Sequence, residues 1–438
     1  VRTEHVIGKN ENVISVRFTS TTTLFAWLVC GLGALYYCYE YFLRIAPSVM
    51  TQELMQTYHL NGVEIGSLSA FYYHAYVPMQ ILVGLLMDRY GPRRLLSVAC
   101  LLCAIGTYLF ASGTSLPVAQ LGRFLVGLGS AFAFVGAAKL ATIWLPPNRF
   151  ALVSGIIMTL GMLGAIVGDI SLRLLVDAIG WRTTLFGSAF AGIVLAVILW
   201  VVIRDVSPTN PHADSHETVS FGHVLRGLKQ AVLSPQVWLI GLVGFLLYLS
   251  LSAFAELWAV PYLEQAHGFT RMQAATATSV IFLGWAVGSP FWGWFSDYLQ
   301  LRRLPMILSA VGALIVTVIL LYVPGLSPTL IYALLFLSGV LCGVQILVFA
   351  MAREATSLKI AGTTIGLINM LVMVGGNVFQ PVVGKLLDMH WTNTLVNGTR
   401  IYSADAYMHA LSVLPLGIIA AIVILLFIKE TRCQVREG

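Results

Sequence analysis

Charged side chains are scarce in this chain, and the few that fall inside apolar runs are the places to look for chemistry. Glu40 and Arg44 stand four residues apart. On a helix that spacing puts them on one face, close enough to pair, with Tyr36 one turn earlier. Glu256 sits in a second such run behind Tyr248 and Ser252, again at helical spacing. Arg123, Lys139 and His74 are further ionisable groups in apolar surroundings, and Gln345, Asn369, Asn377 and Gln380 add amides. A charge at the middle of a lipid-embedded helix costs roughly 2.5–3.5 kcal/mol on insertion scales, so each one is either paired or used. The chemistry these groups suit is recognition and proton exchange. Arg44 or Arg123 would take a carboxylate and Glu256 an ammonium group. Glu40, Glu256 and His74 are the groups that would carry a proton.

Plainer accounts stand beside these. Glu40 and Arg44 can satisfy each other as a buried ion pair, and His74 can bond a neighbouring hydroxyl. Arg123 follows Pro117 by six residues and Glu40 precedes Pro47 by seven, so the two are expected at similar depth and as partners. That pairing would serve structure as well as recognition. Lys139 is expected to snorkel out of the bilayer, and Asp169, Arg173 and Asp177 read as the solvated end of a helix.

The elements that must position these groups are set by a composition of 58 % hydrophobic and 10 % charged residues, against roughly 25 % charged in soluble domains. Apolar stretches long enough to cross a bilayer number twelve, six on either side of a polar segment rich in Pro, Asn and Asp. The expected division is a tail at 1–21, a six-helix half at 22–203, a linker at 204–235, a second half at 236–428 and a tail at 429–438. Counting Lys and Arg on alternate sides with the N-terminus inside gives 17 against 5, so both termini are expected in the cytoplasm of an inner membrane. The basic residues are scattered in ones, twos and threes, which fits topology signals and not nucleic-acid binding. Cys100 and Cys103 form a C-x-x-C inside an apolar run, where a redox or zinc role is not expected. The polar first twenty residues do not read as a cleavable signal peptide.

A repeat links the two sixes. Gly84-Leu-Leu-Met-Asp88-Arg89-Tyr-Gly-Pro-Arg93-Arg94 and Gly293-Trp-Phe-Ser-Asp297-Tyr-Leu-Gln-Leu-Arg302-Arg303 share Gly, Asp and the Arg pair at identical spacing, offset by 209 residues. Duplicated halves leave such a trace. On these loops, with Arg123-Phe-Leu-Val-Gly127-Leu-Gly129 and Pro146-x-x-Arg149, the chain resembles the major facilitator superfamily over its whole length. Tyr39 to Met50 is similar to bacterial members labelled sugar-phosphate permeases and to nutrient and amino-acid carriers of intracellular bacteria. Ala165 stands where the drug-antiporter branch has Pro, which argues against that branch.

The resemblance implies an all-α membrane protein of twelve transmembrane helices in two pseudo-symmetric halves, with a cavity lined by spans one, four, seven and ten. It also implies a gating role for Asp88, Arg89, Arg93 and Arg94 and for Asp297, Arg302 and Arg303. Asp88 is expected against the start of span eleven at Gly362-Thr363-Thr364, and Asp297 near Asn148, each carboxylate on a helix N-terminus.

The interiors of most C-terminal spans lack Lys and Arg, which argues against a phosphate clamped by cations from both halves. Guanidinium on one side and Glu256 on the other suit a zwitterion, so the expected substrate is an amino acid or short peptide, moved with protons by alternating access. An organic-anion or sugar-phosphate carrier, or a transporter-like receptor, remains an alternative. Walker, Gly-x-Ser-x-Gly and metal-spaced His/Glu motifs are not found. An enzyme is therefore not expected, nor a cofactor or metal. A monomer in the lipid bilayer is expected.

Overall fold

The computed structural model describes residues 20–145, 150–206, 221–356, 360–396 and 398–434. Asn148 and the Pro146 to Arg149 loop fall outside them. Six helical spans form the first half: Ser20–Val49, Gly62–Tyr90, Pro92–Ser112, Leu116–Trp144, Phe150–Ile179 and Trp181–Val202. Six form the second: Pro235–His267, Arg271–Leu299, Arg303–Tyr322, Pro328–Ala355, Ala361–Met389 and Ala404–Phe427. Among the described residues eleven of these are long and apolar enough to cross a membrane. Span one carries Glu40 and Arg44 and runs for 30 residues, ample for a hydrocarbon core of about 30 Å at about 1.5 Å per residue. A short helix, Thr51–Tyr58, follows span one, and another, Phe221–Val232, lies within the linker.

The duplication is visible in how the helices begin. Span two starts with a capping box in which Asn61 and Glu64 bond each other's backbone N–H groups, and span eight starts the same way with Thr270 and Gln273. The two boxes are 209 residues apart, as Asp88 and Asp297 are. Spans four and ten both open with Pro in the first turn, where its missing N–H costs nothing. Both are also interrupted midway, at Ala131–Phe132 in span four and by a tight 3-10 turn over Gly343–Ile346 in span ten. Span seven departs furthest from α geometry: Ser250–Trp258 is π-helical and holds Glu256.

Spans two and eleven are the main contact between the halves, and small residues decide how they meet. A Cβ on Gly66 would fall 2.4 Å from the Gln380 carbonyl oxygen, and one on Gly384 would fall 2.0 Å from that of Gly62. At the opposite end of the same pair, Gly84 and Gly362 have nothing within 4 Å. The helices touch backbone to backbone at one end and part at the other. Large apolar side chains such as Val98, Ile105, Phe190, Val197, Leu308 and Ile315 cover the outside of spans three, six and nine, the surface a lipid solvent calls for.

Candidate functional site

Where spans two and eleven part, a cavity of about 550 Å³ opens between the halves toward the side that carries the linker. Its wall is aromatic and amide in character: Tyr37, Tyr41, Tyr76 and Gln80 from the first half, Tyr248, Trp285, Gln345 and Asn369 from the second. Asn369 donates to Gln80 across the halves at 2.7 Å. Asp88, Gly362 and Thr363 stand at the mouth.

Behind the tyrosines lies a buried ion core. The Arg44 guanidinium donates through Nε to Glu40 at 2.9 Å and to the Tyr72 hydroxyl at 3.0 Å, and its Nη2 is 2.6 Å from Glu40. Its Nη1 faces Glu256 at 3.7 Å, so the pair joins span one to span seven and one half to the other. Tyr72 donates to Glu40 and Tyr73 donates to Glu256. The guanidinium carbon lies 4.3 Å from the Tyr41 ring centroid and 5.1 Å from that of Tyr76, the same two rings that line the cavity. Arg44 is thus one aromatic layer away from a solute. Arg44 Nη1, Glu40 Oε2 and Glu256 Oε1 have no hydrogen-bond partner among the described residues, an expensive condition for buried polar atoms.

Arg123 does not pair with Glu40 as expected. It donates to the carbonyl oxygens of Leu43 at 3.0 Å and Arg44 at 3.3 Å. The reason is Pro47, which lies inside span one and has no N–H to give the Leu43 carbonyl four residues back. The freed oxygen takes the guanidinium, and Arg123 fixes span four to span one.

Other expected site residues scatter. Tyr248, Gln345 and Asn369 reach the cavity. Tyr36 turns into the first half, donating to the Gly129 carbonyl at 2.9 Å, and does not line it. His74 is exposed on the outer surface of span two, bonded to the Ala70 carbonyl and stacked on Phe71, away from any proton path through the core. Asn377 does not line the cavity, and its Oδ1 is unpartnered. Tyr72, Tyr73, Tyr76, Gln80 and Trp285 belong to the site and escaped sequence reasoning. The helical spacing of Tyr72 and Tyr76 was the signal available.

The repeated loops differ in what they hold. Asp88 pairs with Lys139 at 2.8 Å and stands across the cavity mouth from span eleven, so the expected contact with Gly362 to Thr364 is not made in this state. Lys139 reaches the helix end by that bond. Asp297 bonds Arg302 at 2.6 Å, and Arg302 also takes Glu354 at 2.8 Å. Burial works against the Arg302 charge, but hydrogen bonds to Glu354 and Asp297 outweigh it and hold the guanidinium above its ordinary pKa. Arg93 and Arg303 are anchors: their backbone N–H groups are capped by Asp205 and Glu430, and Arg93 lies over Trp200. Arg89 lies over Tyr90, and Arg94 is exposed.

The far side is shut. Asp388, at the end of span eleven, accepts the Gly62 and Val63 N–H groups at 3.0 and 2.8 Å, the first turn of span two. Arg400 and the Tyr402 hydroxyl hold the same carboxylate at 3.1 and 2.6 Å. Burial first, and then this bond, raise the Tyr402 pKa. Beside it Glu53 bridges Arg173 and Arg271, one from each half, and Gln52 donates to Glu264. The arrangement offers a solute an entry from the linker side, a polar aromatic chamber and a barrier beyond it.

Known proteins agree with this architecture. The chain is 25 % identical over 283 residues to the probable sulfoacetate transporter SauU of Cupriavidus necator, which covers 63 % of this chain and 66 % of that one. It is 25 % identical over 404 residues to the membrane sensor protein UhpC of Escherichia coli, covering 86 % and 89 %. It is 25 % identical over 384 residues to the lysosomal dipeptide transporter MFSD1 of Danio rerio, covering 82 % and 79 %. The crystal structure of a bacterial homologue of the human lysosomal transporter Spinster, inward-facing and unoccupied, superposes with a TM-score of 0.72 at 18 % identity over 92 % of this chain and 95 % of that one. The Major Facilitator Superfamily model matches residues 30–380 and 241–432. With two duplicated six-span halves, a chamber between them and that match along both, this chain belongs to the Major Facilitator Superfamily and is a multi-pass membrane transporter of small solutes.

Proposed function

We propose that the solute is an amino acid or short peptide, taken up across the cytoplasmic membrane by alternating access and coupled to protons, with the linker side in the cytoplasm. One observation carries the reading: the ion core is charge-balanced. Arg44 pairs with Glu40 and faces Glu256, Arg123 is buried beside them on the carbonyls of span one, and the second half contributes an acid to the core and, among the described residues, no cation. A net anion entering such a site meets as much negative as positive charge. A zwitterion can exchange with the existing pair, its carboxylate on Arg44 and its ammonium on Glu256. The likeness to a dipeptide transporter supports this. Glu40 and Glu256 are the acids we assign to the proton, because each is bonded by a tyrosine hydroxyl beside an arginine that a solute would draw away.

The likeness to a sulfoacetate transporter favours a second reading, an organic anion bound by Arg44 alone. Thermal stability of the purified protein across amino acids, dipeptides, sugar phosphates and organic anions separates the two. Ligand at a hundred times its dissociation constant adds about 2.7 kcal/mol. A rise confined to amino acids or peptides is expected, and a rise with simple anions overturns the zwitterion. Flux in proteoliposomes then distinguishes a carrier from a sensor. Accumulation driven by a pH gradient should fail in Glu256→Gln or Glu40→Gln, and its survival in both would end the proton assignment.

A further inference from the structure

Asp169 does not behave as the solvated helix end its spacing suggests. It is wholly buried in span five, facing span one. Oδ1 accepts the Ser48 hydroxyl at 3.3 Å, and Oδ2 has no hydrogen-bond partner among the described residues. Arg173, one turn further along the same helix, is turned away to the Val49 carbonyl, Glu53 and Asp177.

Among the described residues, the charged groups on the neighbouring elements are likewise engaged. In span one Glu40 and Arg44 hold each other. In span four Arg123 is on backbone carbonyls and Lys139 on Asp88. Span six brings Arg182, bonded to the Gly113 carbonyl, and span eight brings Arg271, bonded to Glu53 and Gln52, with Asp297 at its other end on Arg302. A buried carboxylate with one long hydrogen bond and no cation beside it is unfavourable, whereas the neutral acid is tolerated.

Two features say the acid is there to titrate and not to pack. In the second half, spans seven and eleven are joined by an amide, Gln380 donating to the Ser252 carbonyl at 2.7 Å, so the corresponding junction needs no ionisable group. Ser48 also lines a small crevice on the far side, between Glu53, Glu264, Arg173 and Arg271. One hydroxyl separates Asp169 from it.

We propose that Asp169 is a proton-binding site loaded from the far side through Ser48, and that its proton holds the far-side barrier shut. When the proton leaves to water in the crevice, Arg173 swings back one turn to the ionised carboxylate. It thereby releases Val49 and Glu53, and Glu53 loses one of the two cations that tie the halves together.

The test needs no solute, so it stands or falls apart from the zwitterion reading. Val260 lines the crevice and is buried. In purified protein carrying Cys433→Ser, maleimide labelling of Val260→Cys is compared with that of Gln56→Cys, an exposed position on the same side. The ratio cancels the intrinsic pH dependence of the thiol. It is expected to rise as pH goes from about 5 to about 8 and to stay at its acid value throughout in Asp169→Asn. A parent ratio that does not respond to pH, or an Asp169→Asn profile that follows the parent, overturns the proposal. If Asp169→Asn does not fold, Ser48→Ala decides: the profile must shift along the pH axis, and an unmoved profile is equally fatal.

Discussion

The two ends of the span two and span eleven pair carry the same parts in opposite states. On the far side Asp388 of span eleven sits on the N–H groups of Gly62 and Val63, over glycines that touch backbone to backbone. On the linker side Asp88 of span two stands opposite the first turn of span eleven, which has no side-chain cap, and the glycines there have empty space around them. A carboxylate on a helix N-terminus is favoured by the exposed amides and the helix dipole. The difference teaches that a barrier here depends on whether two helices can come close enough for a carboxylate to reach the other's amides, and only secondarily on ion pairs.

That contrast can be broken in order of expected size. Gly384→Val places branched carbons where even a Cβ lies 2.0 Å from backbone, which overpacking studies put at about 1–3 kcal/mol or more. The far side should open, read as fast labelling of Val260→Cys, while Gly362→Val should leave labelling unchanged. Equal effects at the two glycines would abolish the asymmetry. Asp388→Asn keeps the shape and removes the charge from two amides and Arg400. A loss of about 1.5–3 kcal/mol in far-side closure is expected, measured by the same labelling. Lys139→Ala should be mildest, since its partner pair is 36 % and 42 % exposed and such pairs contribute about 0–1 kcal/mol. By freeing Asp88 it should favour the state in which the linker side closes. Labelling of a cysteine at Thr363 ought then to slow, and faster labelling would mean Lys139 is not what detains Asp88.

The duplicated membrane fold was legible because charges and prolines punctuate apolar runs and because the Gly-Asp-Arg-Arg loops repeat in register. Span seven runs from Pro235 to His267, longer than the apolar pattern around Glu256 alone would require. Its helical spacing marked Glu256 as a polar group inside the span, and the structure buries it beneath Tyr73. Glu40 with Arg44 was legible from spacing alone. Arg123 was misassigned although the clue was present, since Pro47 announces an unpaired carbonyl at Leu43. Tyr72, Tyr73 and Tyr76 carry no charge, and what makes them part of the site is their contact with Arg44, Glu40 and Glu256 on other helices. His74 drew attention by its chemistry while its helix face points it outward. Asp388 and Asp169 could not be read from local pattern: Asp388 drew no expectation and Asp169 read as a wet helix end, and what decides both is a partner helix more than a hundred residues away.

The π-helical stretch of span seven has a mechanical implication. Each π turn accommodates one residue more than an α turn, and such stretches recur at functional positions. Ser250–Trp258 therefore stores slack along the helix axis. Drawing that slack out into regular α-helix would rotate the residues beyond it by about 100° and advance them by about 1.5 Å. Glu256 lies inside that stretch, so part of this rotation would fall on its contacts with Tyr73 and Arg44 with no tilt of either half. The tie across the core is in that sense a thread that can be turned, and the register of a single helix sets whether the two halves are fastened.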